Sequence, residues 1–131
     1  MLKKTVKILV IDDEEDFSFF LKKNLARLDY KVLVASNGRK GLQLARRHKP
    51  DLILLDVMMP GIDGFEVLKS LKTGKETLSI PVIMLTGRDD QEAKQLAASL
   101  YNEDYIVKPA NVEELRLRIE KVLDQRRGQE D

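Results

Sequence analysis

The segment LILLDVMMPGIDG, residues 52–64, decides how the rest of the chain is read. Four consecutive aliphatic residues, Leu52 to Leu55, end in Asp56 and then in a loop holding Pro60, Gly61, Asp63 and Gly64. An apolar run of that length, closed by turn residues, reads as a strand buried on both faces, as in a parallel sheet covered by helices. Asp56 then stands at the carboxyl end of the strand, the end outside which open α/β sheets form their ligand crevices. Taken alone, an aspartate there serves equally well to open or cap the following turn. The flanking chain has to separate the two roles.

Upstream, KILVI (Lys7 to Ile11) is a second buried strand, followed at once by Asp12, Asp13, Glu14 and Glu15. Phe17, Phe20/Leu21, Asn24/Leu25 and Leu28 recur at helical spacing, with Asp12 or Asp13 available as the cap and acids enriched in the first turn. Phe17, Phe19 and Phe20 cannot all face one core, because successive helical residues point about 100° apart. At least one is expected near the surface. KVLVA (Lys31 to Ala35) is the next strand, and Asn37-Gly38 turns the chain into a helix ending near His48. Gly41 inside that helix costs about 1 kcal/mol relative to alanine, which close packing on the sheet would explain.

Downstream, a short helix runs from Gly64 to about Lys72 with Phe65, Leu68 and Leu71 on one face, and Gly74 stops it. PVIMLT (Pro81 to Thr86) is the fourth strand, ending in a hydroxyl beside Gly87. Asp89 or Asp90 caps a helix carrying Ala93, Leu96, Ala97 and Leu100. Tyr105 to Val107 is a short fifth strand ended by Lys108-Pro109, and Asn111 caps a last helix with Val112, Leu115, Ile119 and Val122 as its apolar stripe. In that helix Glu113 and Glu114 lead and Arg116, Arg118, Lys121, Arg126 and Arg127 follow, an order that complements the helix dipole. Five strands alternating with five helices imply right-handed crossovers and a parallel sheet between two helical layers.

Composition narrows the chemistry. The chain of 131 residues suits one domain. Its 23 basic and 22 acidic side chains produce no global field that would recruit nucleic acid or an anionic membrane. The absence of cysteine excludes disulfides, thiolate nucleophiles and zinc-thiolate sites and fits a reducing cytosol. The single histidine, His48, sits at a helix end where solvation or carbonyl capping accounts for it. Lys3, Lys4 and Lys7 precede an apolar segment that stops at Ile11, too short for an export signal, and no run approaches a membrane span. Residues 1–124 are read as the domain and the polar residues 125–131 as a tail or linker.

In a parallel sheet the carboxyl ends share one edge, so Asp12, Asp13, Asp56, Thr86 and Lys108 are expected to meet there. Crowded carboxylates raise one another's pKa values unless a cation compensates them. Hard oxygen donors without histidine or cysteine favour magnesium, which takes one or two carboxylates together with phosphate oxygens. Phosphoryl chemistry follows, with Asp56 as the nucleophile that forms an aspartyl phosphate. The metal, Lys108 and the Thr86 hydroxyl would bind or neutralise the oxygens of the transferring group. Each residue also has an ordinary role, as helix cap, strand-end hydroxyl or solvated lysine; the ordered set is what argues against all of them holding together.

ILVIDDEED, LILLDVMMPGIDG, PVIMLTG and DYIVKPA resemble the successive signatures of the receiver domains of two-component response regulators, and together they span almost the whole chain. The resemblance implies a flavodoxin-like fold with strand order 2-1-3-4-5. It implies a sensor histidine kinase or histidine phosphotransfer protein as donor to Asp56, and a downstream protein or output domain as recipient of the signal. Magnesium would be bound by Asp13, Asp56 and the backbone carbonyl of Met58, with Asp12 acting through water. Thr86 and Tyr105 match the hydroxyl and aromatic switch positions, so that phosphorylation alters the surface of the fourth helix, fifth strand and fifth helix. A phosphorylation-dependent homodimer through that surface is compatible with the resemblance, although the charges of the last helix do not require it. Such a chain is a phosphoacceptor whose only catalysis is its own phosphorylation and dephosphorylation, cytoplasmic, without direct nucleic-acid or membrane binding.

Several positions depart from the family pattern. Tyr101-Asn102 stands where a glycine-alanine pair is usual, Ala110 replaces the aromatic after Lys-Pro, and Gly87 replaces the alanine after the switch hydroxyl. These departures bear on the output face. The Lys108-Pro109 bond is expected to be cis by the resemblance. Met58 and Arg88 are neither carboxylate nor amide and would orient a hydrolytic water poorly, so a long-lived phosphoryl group is expected. Two rivals fare worse. A haloacid-dehalogenase-like phosphatase needs an aspartate where Met58 stands, and a pseudo-receiver usually lacks an acidic-pocket residue or the lysine, all of which are present here.

Overall fold

Side chains along a strand alternate between faces, and the buried residues of this chain sort by that rule into two apolar layers. The computed structural model describes residues 5–57, 59, 61, 63–86, 104–108 and 111–130, without the side chains of Thr86, Asp104, Val107 and residues 127–130. The strands are β1 (Lys7–Ile11), β2 (Lys31–Ala35), β3 (Leu52–Asp56), β4 (Val82–Thr86) and β5 (Asp104–Val107). They form one parallel sheet in the order β2-β1-β3-β4-β5, the doubly wound, flavodoxin-like arrangement. Helices α1 (Glu15–Ala26), α2 (Gly38–His48) and α3 (Gly64–Thr73) and a C-terminal helix (Val112–Glu130) flank it. The fourth predicted helix falls on residues outside those described.

One face of the sheet presents Ile8, Val10, Leu52, Leu54, Ile83 and Leu85 to Leu21 and Leu25 of α1 and to Leu115, Ile119 and Leu123 of the C-terminal helix. The other presents Leu9, Ile11, Ile53, Leu55, Val82 and Met84 to Ala45 of α2 and Val67, Leu68 and Leu71 of α3. Every residue of β3 is buried, so this strand is the centre about which both layers close. At about 1.5–3 kcal/mol per large aliphatic side chain buried, the two layers dominate the folding free energy. Gly41 is explained by contact: a Cβ there would lie 2.6 Å from Ile11 Cδ1.

Local signals place the helix starts. Asn37 Oδ1 accepts from Lys40 N at 2.8 Å, Asp63 Oδ1 from Glu66 N at 3.0 Å, and Asn111 Oδ1 from Glu113 N at 2.9 Å, each filling an orphan donor of a first turn. The start of α1 differs from the sequence expectation. Glu14, not Asp12 or Asp13, is its N-cap, and its side chain makes no capping bond. Asp12 instead accepts from Glu14 N at 2.9 Å and turns its other oxygen inward. Lys49 ends α2 in the left-handed region (φ 45°) before Pro50.

Candidate functional site

Register brings the acids together. Ile11 pairs with Leu55, so the residues that follow them, Asp12 and Asp56, leave the sheet side by side. Thr86 pairs with Val107, so Lys108 emerges one step beyond the end of β4. Hydrogen bonds from Asp12 N to Ala35 O (3.0 Å) and from Val57 N to Leu85 O (2.8 Å) carry the ladder to the rim and fix the backbone beneath both carboxylates. Asp12 and Asp56 are buried, at 1% and 3% exposure, while Asp13 is open to solvent. One carboxylate oxygen from each of the three lies within 4.8 Å of the others.

Lys108 spans this cluster. Its Nζ is 2.7 Å from Asp12 Oδ2, 2.9 Å from Glu14 Oε1 and 3.6 Å from Asp56 Oδ1, and 4.7 Å from the centroid of the Phe17 ring. The side chain is 9% exposed, so its stem and the Phe17 ring screen one flank of the carboxylates from water. Burial alone would depress the Lys108 ammonium and is the largest single influence on it. Close contact with Asp12 and Glu14 and the charges of Asp12 and Asp56 outweigh burial and hold the ammonium above its usual range.

The approach to Asp12 Oδ2 is an ion pair without an aligned hydrogen bond: that oxygen is wholly buried and has no directed donor, whereas Glu14 Oε1 receives an aligned bond from the same ammonium. Among the described residues, the buried Asp12 and Asp56 and the exposed Glu14 thus gather about the Lys108 ammonium, with the buried Asp12 Oδ2 facing the cluster. A second hard cation, taking oxygen donors and keeping its waters on the open side at Asp13, fits this donor set.

Of the residues expected at the rim, Asp12, Asp13, Asp56 and Lys108 come together. The backbone of Thr86 ends β4 at the same edge; its side chain, Met58, Gly87, Arg88, Pro109 and Ala110 lie outside the described residues. Tyr105 is half-buried on β5 and packs against the layer shared with α2 and α3. Glu14 and Phe17 were not assigned roles by sequence. The acidic run and the helical spacing mark both as first-turn residues of α1, but only the crossing of Lys108 over that turn reveals what they do. Ser18, buried beneath the same turn, donates to Asp12 O at 3.5 Å.

A family model described as the response regulator receiver domain matches residues 8–120. The alkaline phosphatase synthesis transcriptional regulatory protein PhoP of Bacillus subtilis is 44% identical over 117 residues, 89% of this chain and 48% of that protein. Protein PilH of Pseudomonas aeruginosa is 38% identical over 117 residues, covering 89% of this chain and 97% of PilH. The chain thus spans about half of PhoP and nearly all of PilH. Among solved structures, chemotaxis protein CheY4 of Vibrio cholerae superposes with a TM-score of 0.86 at 30% identity, over 91% of this chain and 99% of that one. The matched span contains every strand end that builds the acidic rim, and the chain belongs to the family of response regulator receiver domains.

Proposed function

We propose that this receiver domain is a phosphorylation-dependent signalling switch in which Asp56 accepts a phosphoryl group from a phosphohistidine of a sensor histidine kinase or histidine phosphotransfer protein. The observation that carries the reading is the position of Lys108 Nζ, 3.6 Å from Asp56 Oδ1 at a rim where three carboxylates converge. A carboxylate oxygen of Asp56 attacks phosphorus, the phosphorus–nitrogen bond breaks, and its electron pair returns to the imidazole of the donor. The negative oxygens of the transferring group then lie within reach of an ammonium already fixed in place by Asp12, Glu14 and the Phe17 ring. Because that ammonium is positioned before the donor arrives, little reorganisation accompanies the transfer.

Asp13, Asp56 and the Met58 carbonyl, with Asp12 through water, would hold magnesium, which supplies charge neutralisation at the phosphoryl oxygens when bound. Asp12 keeps Lys108 oriented, and Asp13 provides the solvent-facing ligand. Thr86 and Tyr105 are the switch pair: the hydroxyl moves toward the phosphoryl group and the ring follows inward. That movement changes the surface formed by the fourth helix, β5 and the C-terminal helix. Residues 1–124 form the switch, the C-terminal helix runs on through residues 125–130, and a downstream protein or an output domain reads the change. PhoP, a transcriptional regulatory protein about twice this chain's length, and PilH, of nearly equal length, illustrate the two arrangements. A kinase donor places the reaction in the cytoplasm.

Incubation with magnesium and a small-molecule phosphodonor, followed by intact-mass measurement, tests the reading. A single phosphate adduct, lost in Asp56→Asn, is expected. An adduct that survives in Asp56→Asn, no adduct at all, or turnover of phosphomonoesters without an adduct overturns it.

A further inference from the structure

Helix α2 carries a charge pattern that neither the acidic rim nor the core explains. Its buried face is Gly38, Gly41 and Ala45, and its solvent face is Arg39, Lys40, Gln43, Arg46 and Arg47, with no acid anywhere in the helix. Successive residues advance about 100°, so these five positions fall within one contiguous stripe, and Arg39 to Arg47 spans about 12 Å. Among the described residues none of its four cations is in an ion pair. By contrast Arg116 of the C-terminal helix is bracketed by Glu113 and Glu120. Arg46 and Arg47 also complement the carboxyl end of the helix dipole, and the stripe as a whole is not neutralised by any described acid.

The stripe borders a groove. Lys40, in the first turn of α2, lines a depression together with Phe19 and Lys22 of α1, Ser18, Val34 and Ser36, and with Asp12 and Glu15 at its acidic end. Phe19 is 69% exposed, the most exposed of the large apolar side chains described. It lies on the flank of α1 toward β2, while Phe17 and Phe20 stack with each other on the flank toward Lys108. With lysines and carboxylates balanced in the groove, the excess positive charge lies along α2, so a ligand that places an apolar side chain at Phe19 and carboxylates along the α2 stripe matches both.

We propose that the α1–α2 flank is a second docking surface, which binds an acidic segment of a partner protein with an apolar side chain seated against Phe19 and its carboxylates along Lys40, Arg46 and Arg47. Two features select this occupant. Glu15 lines the same groove and Asp13, Glu14 and Asp16 adjoin it, so a long polyanion such as duplex DNA meets repulsion at one end of the stripe. Phe19 is the one exposed large apolar side chain on this flank among those described, the others being Phe20, Leu78 and Leu117, and a single ring inserts too little apolar area to hold a lipid surface. A short segment avoids the first obstacle, and charges set its direction along the stripe.

The test is fluorescence anisotropy of the intact chain with a labelled peptide that alternates glutamate with leucine and phenylalanine. Saturable binding is expected, weakened roughly tenfold by Arg46→Glu/Arg47→Glu and several-fold by Phe19→Ala, and unchanged by Leu78→Ala, which removes an exposed apolar side chain elsewhere. Should the double reversal lose its cooperative melt, Arg46→Gln/Arg47→Gln gives the same direction at roughly threefold. Absence of saturable binding, equal loss in Leu78→Ala, or tighter binding of duplex DNA or of phosphatidylserine-containing vesicles at the same salt overturns the proposal. None of these outcomes depends on phosphorylation of Asp56.

Discussion

Gly64 ties the stability of the fold to the chemistry of the rim. It is the first residue of α3, and its amide donates to Val57 O at 2.9 Å, so the helix start is hydrogen-bonded to the strand end that carries Asp56. A Cβ built on Gly64 would press on the Asp56 carbonyl oxygen and stand 2.7 Å from Val57 Cα and 2.9 Å from Val57 O. These are backbone atoms of a strand held on both sides, by β1 and by β4. They cannot swing aside as the end of a side chain could. Overpacking typically costs about 1–3 kcal/mol, and the upper half of that range applies where the obstacle is backbone. The gain from replacing a helical glycine by alanine is below about 1 kcal/mol at a first-turn position. Gly64→Ala is therefore expected to lose roughly 2 kcal/mol, which for a urea slope of about 1–3 kcal/mol per molar shifts the midpoint by on the order of 1 M.

Gly61→Ala separates this effect from ordinary backbone strain. Gly61 has φ +82° and nothing within 4 Å of a built Cβ, so alanine there costs about 1 kcal/mol through its left-handed conformation alone. Urea denaturation and the rate of adduct formation with the small phosphodonor, measured on both variants, distinguish the two. Both should be destabilised, but only Gly64→Ala should also slow phosphorylation, because only it displaces Asp56. A Gly64→Ala midpoint indistinguishable from wild type, or a slowed Gly61→Ala of equal size, refutes the reasoning.

Replacing Lys108 by methionine leaves the buried carboxylates of Asp12 and Asp56 without their ammonium; the loss should approach 3 kcal/mol and shrink when magnesium is added, and an equal loss with and without magnesium in urea titrations would argue against a shared cation site. The pH dependence has a definite sign. Because the Lys108 pKa is raised in the folded chain from its ordinary 10.5, its contribution is complete below that value and is lost only as pH rises beyond it through the folded pKa. The stability difference between wild type and Lys108→Met should accordingly stay flat from neutral pH to about pH 10 and narrow above it; a difference that narrows at neutral pH contradicts the assignment. Met58→Asn and Arg88→Glu, which offer groups able to orient water, should each shorten the life of the phosphorylated protein, and unchanged or slower decay in both disposes of that explanation for a long-lived state.

The sequence showed the strands more sharply than the helix starts, for a physical reason. An unbroken apolar run such as Leu52 to Leu55 has one stable placement, between two helical layers, and β1, β2 and β3 fall on the residues expected. Pro81 was expected inside β4, but a residue without an amide hydrogen contributes only its carbonyl, which accepts from Ile53 N at 3.0 Å while the strand itself begins at Val82. The role of Asp12 could not be separated from capping by sequence, since a strand-end aspartate before a helix suits both. The structure shows it doing both, one oxygen accepting from Glu14 N at the helix start and the other, buried, facing Lys108. Asp63 is the reverse case. Asp63 and Glu66 stand three apart at a helix start, a legible capping signal that the turn residues around it overshadow. In the C-terminal helix Leu123, at 7% exposure, joins Leu115 and Ile119 in the core while Val122 is half-buried; periodicity alone does not fix which of two adjacent apolar residues takes the seam.

What periodicity could not disclose was that α1 has two working flanks. Ser18, Leu21 and Leu25 bury its centre, leaving Phe17 and Phe20 on one side and Phe19 on the other. On the first side the Lys108 ammonium rests over Phe17 and pairs with Asp12, so ring, cation and carboxylate form a continuous connection from the surface of α1 to the acidic rim. On the second side the chain meets Lys22, Lys40 and the cationic stripe of α2. Both flanks converge on Asp12, which touches Lys108 on one side and lines the groove on the other. A change in the charge carried by Asp56 therefore has a short physical route to either surface, through the one buried carboxylate they share. Coupling between them follows only if Asp12 and Lys108 have two discrete arrangements. Peptide affinity at the α2 stripe, compared before and after phosphorylation, measures that coupling directly: a ratio of one makes the flanks independent, and any other ratio must appear reciprocally in the phosphorylation equilibrium.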